Sequence, residues 1–209
     1  MVTPKGINQL AMNELAKLDF SKIQPYLKDV SQGSLNDINN VVNLKYYRYL
    51  AALVKAIKPK QVVELGSAGG SSALMMLSTL PKDSMLYACS IPEPEGEFRF
   101  IKQDYPNLTL IRGNDLDLAI WPKDCQLKET DLWFFDTDHN YEQLHAEMQL
   151  YDQFFKKGTI VLIDDIRLNE GMTRAWDEIK YPKLSLPDLH RSVSNMENPN
   201  PPGFGMFVV

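Results

Sequence analysis

The sequence predicts an α/β fold, a doubly wound and mostly parallel sheet, and three observations carry that prediction. From residue 60 onward, apolar strand patterns alternate with amphipathic helical ones. Several strand patterns, including Leu132-Trp133-Phe134-Phe135 and Thr159-Ile160-Val161-Leu162-Ile163, are apolar without alternation, as expected where helices cover both faces of a sheet. Val62-Val63-Glu64-Leu65 runs through Gly66-Ser67-Ala68-Gly69-Gly70 into Ser71-Ser72, a strand, a glycine-rich turn and the start of a helix.

Ile7, Leu10, Met12 and Leu15 fall at helical spacing, and Pro25 and the polar stretch 31–40 interrupt any continuation. One or two short helices are expected there, as a cap spanning 1–42 ahead of a main domain at 43–209. Between Asn43 and Lys58 a helix is marked by Tyr46, Leu50, Leu53, Val54 and Ile57 on one face, and Pro59 stops it. Strands are predicted at 60–65, 84–90, 108–112, 130–136, 159–164 and 204–209, with helices at 70–80, 95–104, 140–156 and 169–180. The helix after Asn140 has the clearest pattern: Tyr141, Leu144, Met148, Tyr151 and Phe155 form a stripe, Lys156-Lys157 suit a last turn, and Gly158 suits a stop. The stiff Asn198-Pro199-Asn200-Pro201-Pro202-Gly203-Phe204-Gly205 segment reads as a hairpin connection or a substrate lid.

The 209 residues, 44% of them hydrophobic, suit one globular domain with an N-terminal extension. The net charge is −5 and the basic residues are scattered, which argues against nucleic acid as a partner. No apolar run approaches the roughly 18 residues that span a bilayer, and the N-terminus lacks an apolar leader, so a soluble cytoplasmic chain is expected. Cys89 and Cys125 have no partners at metal-ligand spacing, and Cys89 reads as a small core residue. Trp133 and Phe134-Phe135 read as sheet core, while Trp121 and Trp176 are left open.

The chemistry concentrates at strand ends. Gly66, Gly69 and Gly70 lack Cβ, so a ligand can lie against bare backbone beside the N–H groups of the following helix. The spacing is not the G-x-G-x-x-G of dinucleotide folds; with Glu64 two residues ahead of Gly66 it approaches E-x-G-x-G-x-G, Ala68 replacing the middle glycine. Asp136-Thr137-Asp138-His139 and Asp164-Asp165 end two predicted strands. If those strands are neighbours, about 4.8 Å apart, their carboxylates converge on one cation, and a hard ion such as Mg²⁺ relieves the like-charge repulsion. His139, near the start of the long helix, is of the residue type that exchanges protons near neutrality and so suits a proton acceptor. His145, placed on the solvated side of that helix, and His190 are weaker candidates.

On these residues the chain resembles the small class I S-adenosylmethionine-dependent O-methyltransferases, in particular the metal-dependent group that includes macrolide-sugar O-methyltransferases and cephalosporin-hydroxylase-like proteins. The likeness runs from about Asn43 to Val209 and rests on Glu64–Ser72, Phe135–Glu142 and Leu162–Asp165. It implies a Rossmann-like sheet of seven strands, the last antiparallel. It further implies Mg²⁺ or a similar cation on Asp136, Asp164 and Asp165, His139 as catalytic base, and a small-molecule hydroxyl acceptor such as a sugar, polyol or catechol-like group. Glu64, Gly66, Ser67, Gly69, Gly70, Ser71 and Asp136 would surround the methyl donor, with adenine near Gly113-Asn114-Asp115. One departure stands out: the family usually ends its second strand with an acid that binds the ribose hydroxyls, and here Ser90 holds that place, leaving Glu93 or Glu95 to reach back.

Ser90 also keeps open a divergent adenosine-ligand-binding protein or a metal-dependent hydrolase-like site. A nicotinamide-dependent oxidoreductase would need G-x-G-x-x-G and an acid at Ser90, and both are missing. The N-terminal helices and the loop before the last strand are expected to shape the acceptor pocket or to pack against another subunit of a homo-oligomer.

Overall fold

The computed structural model describes residues 2–23, 45–91, 105–189 and 202–209. The strands are β1 (Gln61–Leu65), β2 (Met85–Ser90), β3 (Leu108–Arg112), β4 (Leu132–Phe135), β5 (Ile160–Ile163), β6 (Lys183–Leu186) and β7 (Phe204–Val208), in the order β3-β2-β1-β4-β5-β7-β6. Strands β1 to β5 are mutually parallel, and β7 enters antiparallel to both β5 and β6. This is the seven-stranded, doubly wound Rossmann-like sheet with an antiparallel last strand. Six strands stand where the apolar patterns put them. The seventh, Lys183-Leu184-Ser185-Leu186, is a short edge strand flanked by Pro182 and Pro187 and only partly buried, so it lacks the doubly covered apolar run that marked the others.

Successive strand residues feed two separate cores. Val62, Leu86, Leu132, Phe134 and Leu162 face one side, against α1 (Pro4–Leu15), α2 (Lys45–Ile57) and α3 (Ser71–Leu77). Val63, Trp133, Phe135, Val161 and Ile163 face the other, against α4 (Tyr141–Tyr151) and α5 (Glu170–Glu178). Trp176 and both cysteines are buried, and Trp121 is partly buried, its indole N–H donating to Tyr151 Oη at 3.1 Å.

Helix α1 starts at Thr3, whose Oγ1 accepts from Gly6 N at 3.2 Å, and Pro4 occupies the first turn, where its missing N–H costs nothing. It lies on α2, with the Tyr49 hydroxyl donating to Asn8 Oδ1 at 2.9 Å. Helix α4 is capped by Asn140, whose Oδ1 accepts from Gln143 N at 2.8 Å. It ends at Tyr151 rather than near residue 156, tightening into a 3₁₀ turn at Asp152–Phe154 before Gly158 takes a left-handed φ of 90°. The helix expected at 95–104, the end of the N-terminal extension at 42, Glu93, Glu95, His190 and most of the proline-rich loop lie outside the described residues. Among the described residues no helix is long and apolar enough to cross a membrane.

Candidate active site

Strand order reverses between β1 and β4: β2 and β3 lie beyond β1, β5 beyond β4. Connections leave this switch point on opposite faces, which opens a cleft at the carboxyl ends of the strands. A cavity of about 440 Å³ lies there, lined among others by Gly66, Ser90, Asn114, Asp115, Asp136 and His139. Those six sequence-selected residues are therefore brought together.

Glu64 and Ser67 act beneath the cavity rather than in its wall. Glu64 is fully buried, on the face of β1 that also carries Val62, and its carboxylate accepts from Ser67 Oγ at 2.7 Å and from Ser72 Oγ. The glycine turn is thus clasped from below by charge-assisted hydrogen bonds of about 1.5–3 kcal/mol each. Gly66 N and Ser67 N donate to the Cys89 carbonyl at 2.9 and 3.0 Å, tying the turn to β2. Gly69, Gly70 and Ser71 are buried in the turn and the first helical residue, outside the lining, with Gly70 at a left-handed φ of 85°. Gly66 is irreplaceable in another sense. At φ +86°, a Cβ there would sit 1.8 Å from the main-chain oxygen of Asp136. The turn and the acid-bearing strand end therefore form one continuous wall.

Asp136 and Asp164 follow Phe135 and Ile163, which are register partners on adjacent strands, so the neighbouring placement required for convergence is present. His139 closes the group. Its Nε2 lies 3.4 Å from Asp136 Oδ1 and 3.7 Å from Asp164 Oδ2, and its Nδ1 lies 3.6 Å from Asp165 Oδ2. Ligand atoms of Asp136, His139 and Asp164 all fall within 4.8 Å of one another, whereas Asp165 sits across the imidazole from them, at a left-handed φ of 50°. The ring is set by its backbone, since Asn169, the cap of α5, donates Nδ2–H to the His139 carbonyl at 2.8 Å.

The electrostatics are unbalanced. Asp164 is fully buried; burial first, then the adjacent Asp165 carboxylate, pushes its carboxyl well above the ordinary carboxylate range, and His139 and Tyr46 only partly oppose this. The Tyr46 hydroxyl lies between the two acids, donating to Asp136 Oδ2 at 3.3 Å and also reaching Asp164, and one proton cannot serve both at once. His139 Nε2 is buried with no hydrogen-bond partner among the described residues. Two carboxylates and an imidazole nitrogen converging in this way fit a divalent cation by donor type.

Sequence reasoning missed Tyr46, Thr137, Gln143 and Glu147. Tyr46 was assigned to a helical core face, which it occupies with its ring while its hydroxyl reaches the acids. Gln143 carried a readable signal, three residues past the Asn140 cap and therefore on the face of α4 that returns to the cleft.

A family model described as a methyltransferase domain matches residues 63–166, about half of the chain, from β1 to just past Asp164-Asp165. The chain belongs to the class I, S-adenosylmethionine-dependent methyltransferases. Solved structures agree in fold. A methyltransferase from Geobacter sulfurreducens superposes with a TM-score of 0.60 at 14% identity, covering 91% of this chain and 97% of that one. An O-methyltransferase from Bacillus cereus, in complex with SAH, gives 0.56 at 14% over 100% and 93%. TomG from Streptomyces achromogenes, an O-methyltransferase involved in tomaymycin synthesis and bound to SAM, gives 0.52 at 14% over 100% and 99%. No curated protein sequence matches the chain significantly. At such identities the likeness is one of fold, so what distinguishes this methyltransferase must be read from its own cleft.

Proposed function

We propose that this methyltransferase moves a methyl group from S-adenosylmethionine to a hydroxyl oxygen of a small molecule, with a divalent cation such as Mg²⁺ held by Asp136 and Asp164, and with Asp165 beside them. The observation that carries the reading is the convergence of Asp136, His139 and Asp164 at the strand ends that Gly66 joins to the glycine turn. Structures of folded relatives that carry SAM or SAH support the donor. A bound cation would supply positive charge that lowers the pKa of the acceptor hydroxyl.

The chain's own residues do the rest. Gly66 and the backbone after β1 let the donor approach without a side chain in the way, and Asn114 and Asp115 line the cavity where the adenine would lie. His139 accepts the hydroxyl proton; the acceptor oxygen bonds to the methyl carbon as the carbon–sulfur bond breaks, leaving a methyl ether and S-adenosylhomocysteine. Most of the acceleration comes from holding oxygen, carbon and sulfur in line.

The cluster also favours a second use of His139, since its Nε2 groups with the two acids as a third ligand. Calorimetry with SAM, SAH and NAD, each with and without Mg²⁺, separates the readings. Heat with SAH and SAM and none with NAD is expected; silence with both sulfur ligands overturns the donor. In His139→Ala, unchanged Mg²⁺ binding with lost turnover on hydroxyl acceptors marks a base, and lost Mg²⁺ binding marks a ligand.

A further inference from the structure

Glu147 is a fully buried acid on α4 that does not line the cleft, yet it is linked to two residues that do. Its Oε1 accepts from Thr137 Oγ1 at 2.5 Å and from Gln143 Nε2 at 2.8 Å. The same Gln143 amide nitrogen donates to Asp115 Oδ2 at 3.1 Å, so one NH₂ group spans the two carboxyls. Its Oε2 meets no N–H or O–H among the described residues, and the carboxyl hydrogen-bonds that of Asp115. Two carboxyls share a hydrogen bond only when one of them carries a proton. The Asp115 backbone is fixed as well, because the Tyr151 hydroxyl donates to its carbonyl.

We propose that Glu147 is a positioning residue: a neutral acid whose Oε2–H donates to Asp115 and holds that carboxylate in the cavity wall as the acceptor for the amino group of adenine. This rests on the S-adenosylmethionine reading given above. Thr137 and Gln143 occupy Oε1 as donors, leaving Oε2 for the proton, and of the two acids it is Asp115 that reaches the cavity wall. Burial first, then the bond to Asp115, raises the Glu147 carboxyl well above its ordinary range, in accord with that assignment. The other titratable groups that interact with it are the Cys89 thiol, pushed up to about 12 chiefly by burial, and the Tyr151 phenol, also raised by burial; both stay neutral through the physiological range. When Glu147 ionises, two carboxylates face each other and Asp115 is displaced.

The test follows SAH affinity against pH by calorimetry, with the infrared carbonyl band of a protonated carboxylic acid as a readout that needs no ligand. In the wild type, affinity is expected to fall about tenfold between neutral and alkaline pH as Glu147 ionises. Glu147→Gln, neutral and of the same shape, should stay within about threefold of wild type at neutral pH and lose the alkaline fall. Glu147→Ala should bind about tenfold more weakly. The acid band should be present in wild type at neutral pH and should lose the contribution of one carboxyl in Glu147→Gln, what remains belonging to Asp164. An alkaline fall that persists in Glu147→Gln, or a wild-type protein without the band, overturns the proposal. A wild type that binds no SAH overturns the donor reading, and the band then decides the proton sharing alone.

Discussion

The two ends of the cleft each bury a carboxylate completely, and they treat it in opposite ways. At the glycine-turn end, Glu64 is answered from its own segment by the hydroxyls of Ser67 and Ser72. At the acid end, Asp164 has the Asp165 carboxylate as neighbour, and its carboxyl stays well above the ordinary range despite the help of Tyr46 and His139. The first carboxylate is a structural clasp, complete in itself. The second is held in an arrangement that favours its neutral form and that the cation proposed above would relieve. Both lie at carboxyl ends of parallel strands, so strand position alone does not separate scaffold from chemistry; the hydrogen-bond partners do.

The largest effect should come from breaking the wall that joins the two ends. Gly66→Ala places a Cβ 1.8 Å from the Asp136 carbonyl oxygen at a left-handed φ, and a loss of about 3 kcal/mol is expected in denaturant unfolding, with donor binding abolished. Unaltered stability would show that the ends are not rigidly coupled. Next, Asp164→Asn should raise or preserve the melting temperature without divalent ions, because a buried ionisable group is removed, while weakening Mg²⁺ binding by about 100-fold. Mg²⁺ should therefore raise the melting temperature of the wild type and not of the variant; equal rises in both would place the cation elsewhere. The smallest effect tests the β2 position. Ser90→Asp restores a carboxylate where ribose hydroxyls would lie, and about tenfold tighter SAH binding is expected by calorimetry, with no gain for NAD if the glycine spacing excludes it.

Much of this was legible in the sequence because each clue had a short physical range. A doubly covered strand writes a continuous apolar run, which located six strands; β6, an edge strand of four residues, writes none. Asp136 and Asp164 were readable as strand-terminal acids, and only their proximity had to be assumed until the Phe135–Ile163 register supplied it. The position of Asp165 across the imidazole was not readable, since it depends on a single left-handed residue and the placement of one ring. The Glu147 network was invisible for the same reason. It joins residues from the ends of β3 and β4 to the inner face of α4, and the stripe that identified that helix counted apolar residues alone.

The way β7 enters the sheet has a consequence for how the molecule is made. It inserts between β5 and β6, and among the described residues β6 has no other strand beside it, so the sheet does not grow outward in the order in which the chain is written. Residues near 183 must wait for those near 204 before they can pair. The same late strand brings Phe204 against the Tyr46 ring, at 4.5 Å between centroids, behind the hydroxyl that serves Asp136. The acid end thus leans on a contact between residues far apart in the chain, the kind whose loop-closure cost slows folding relative to local pairings.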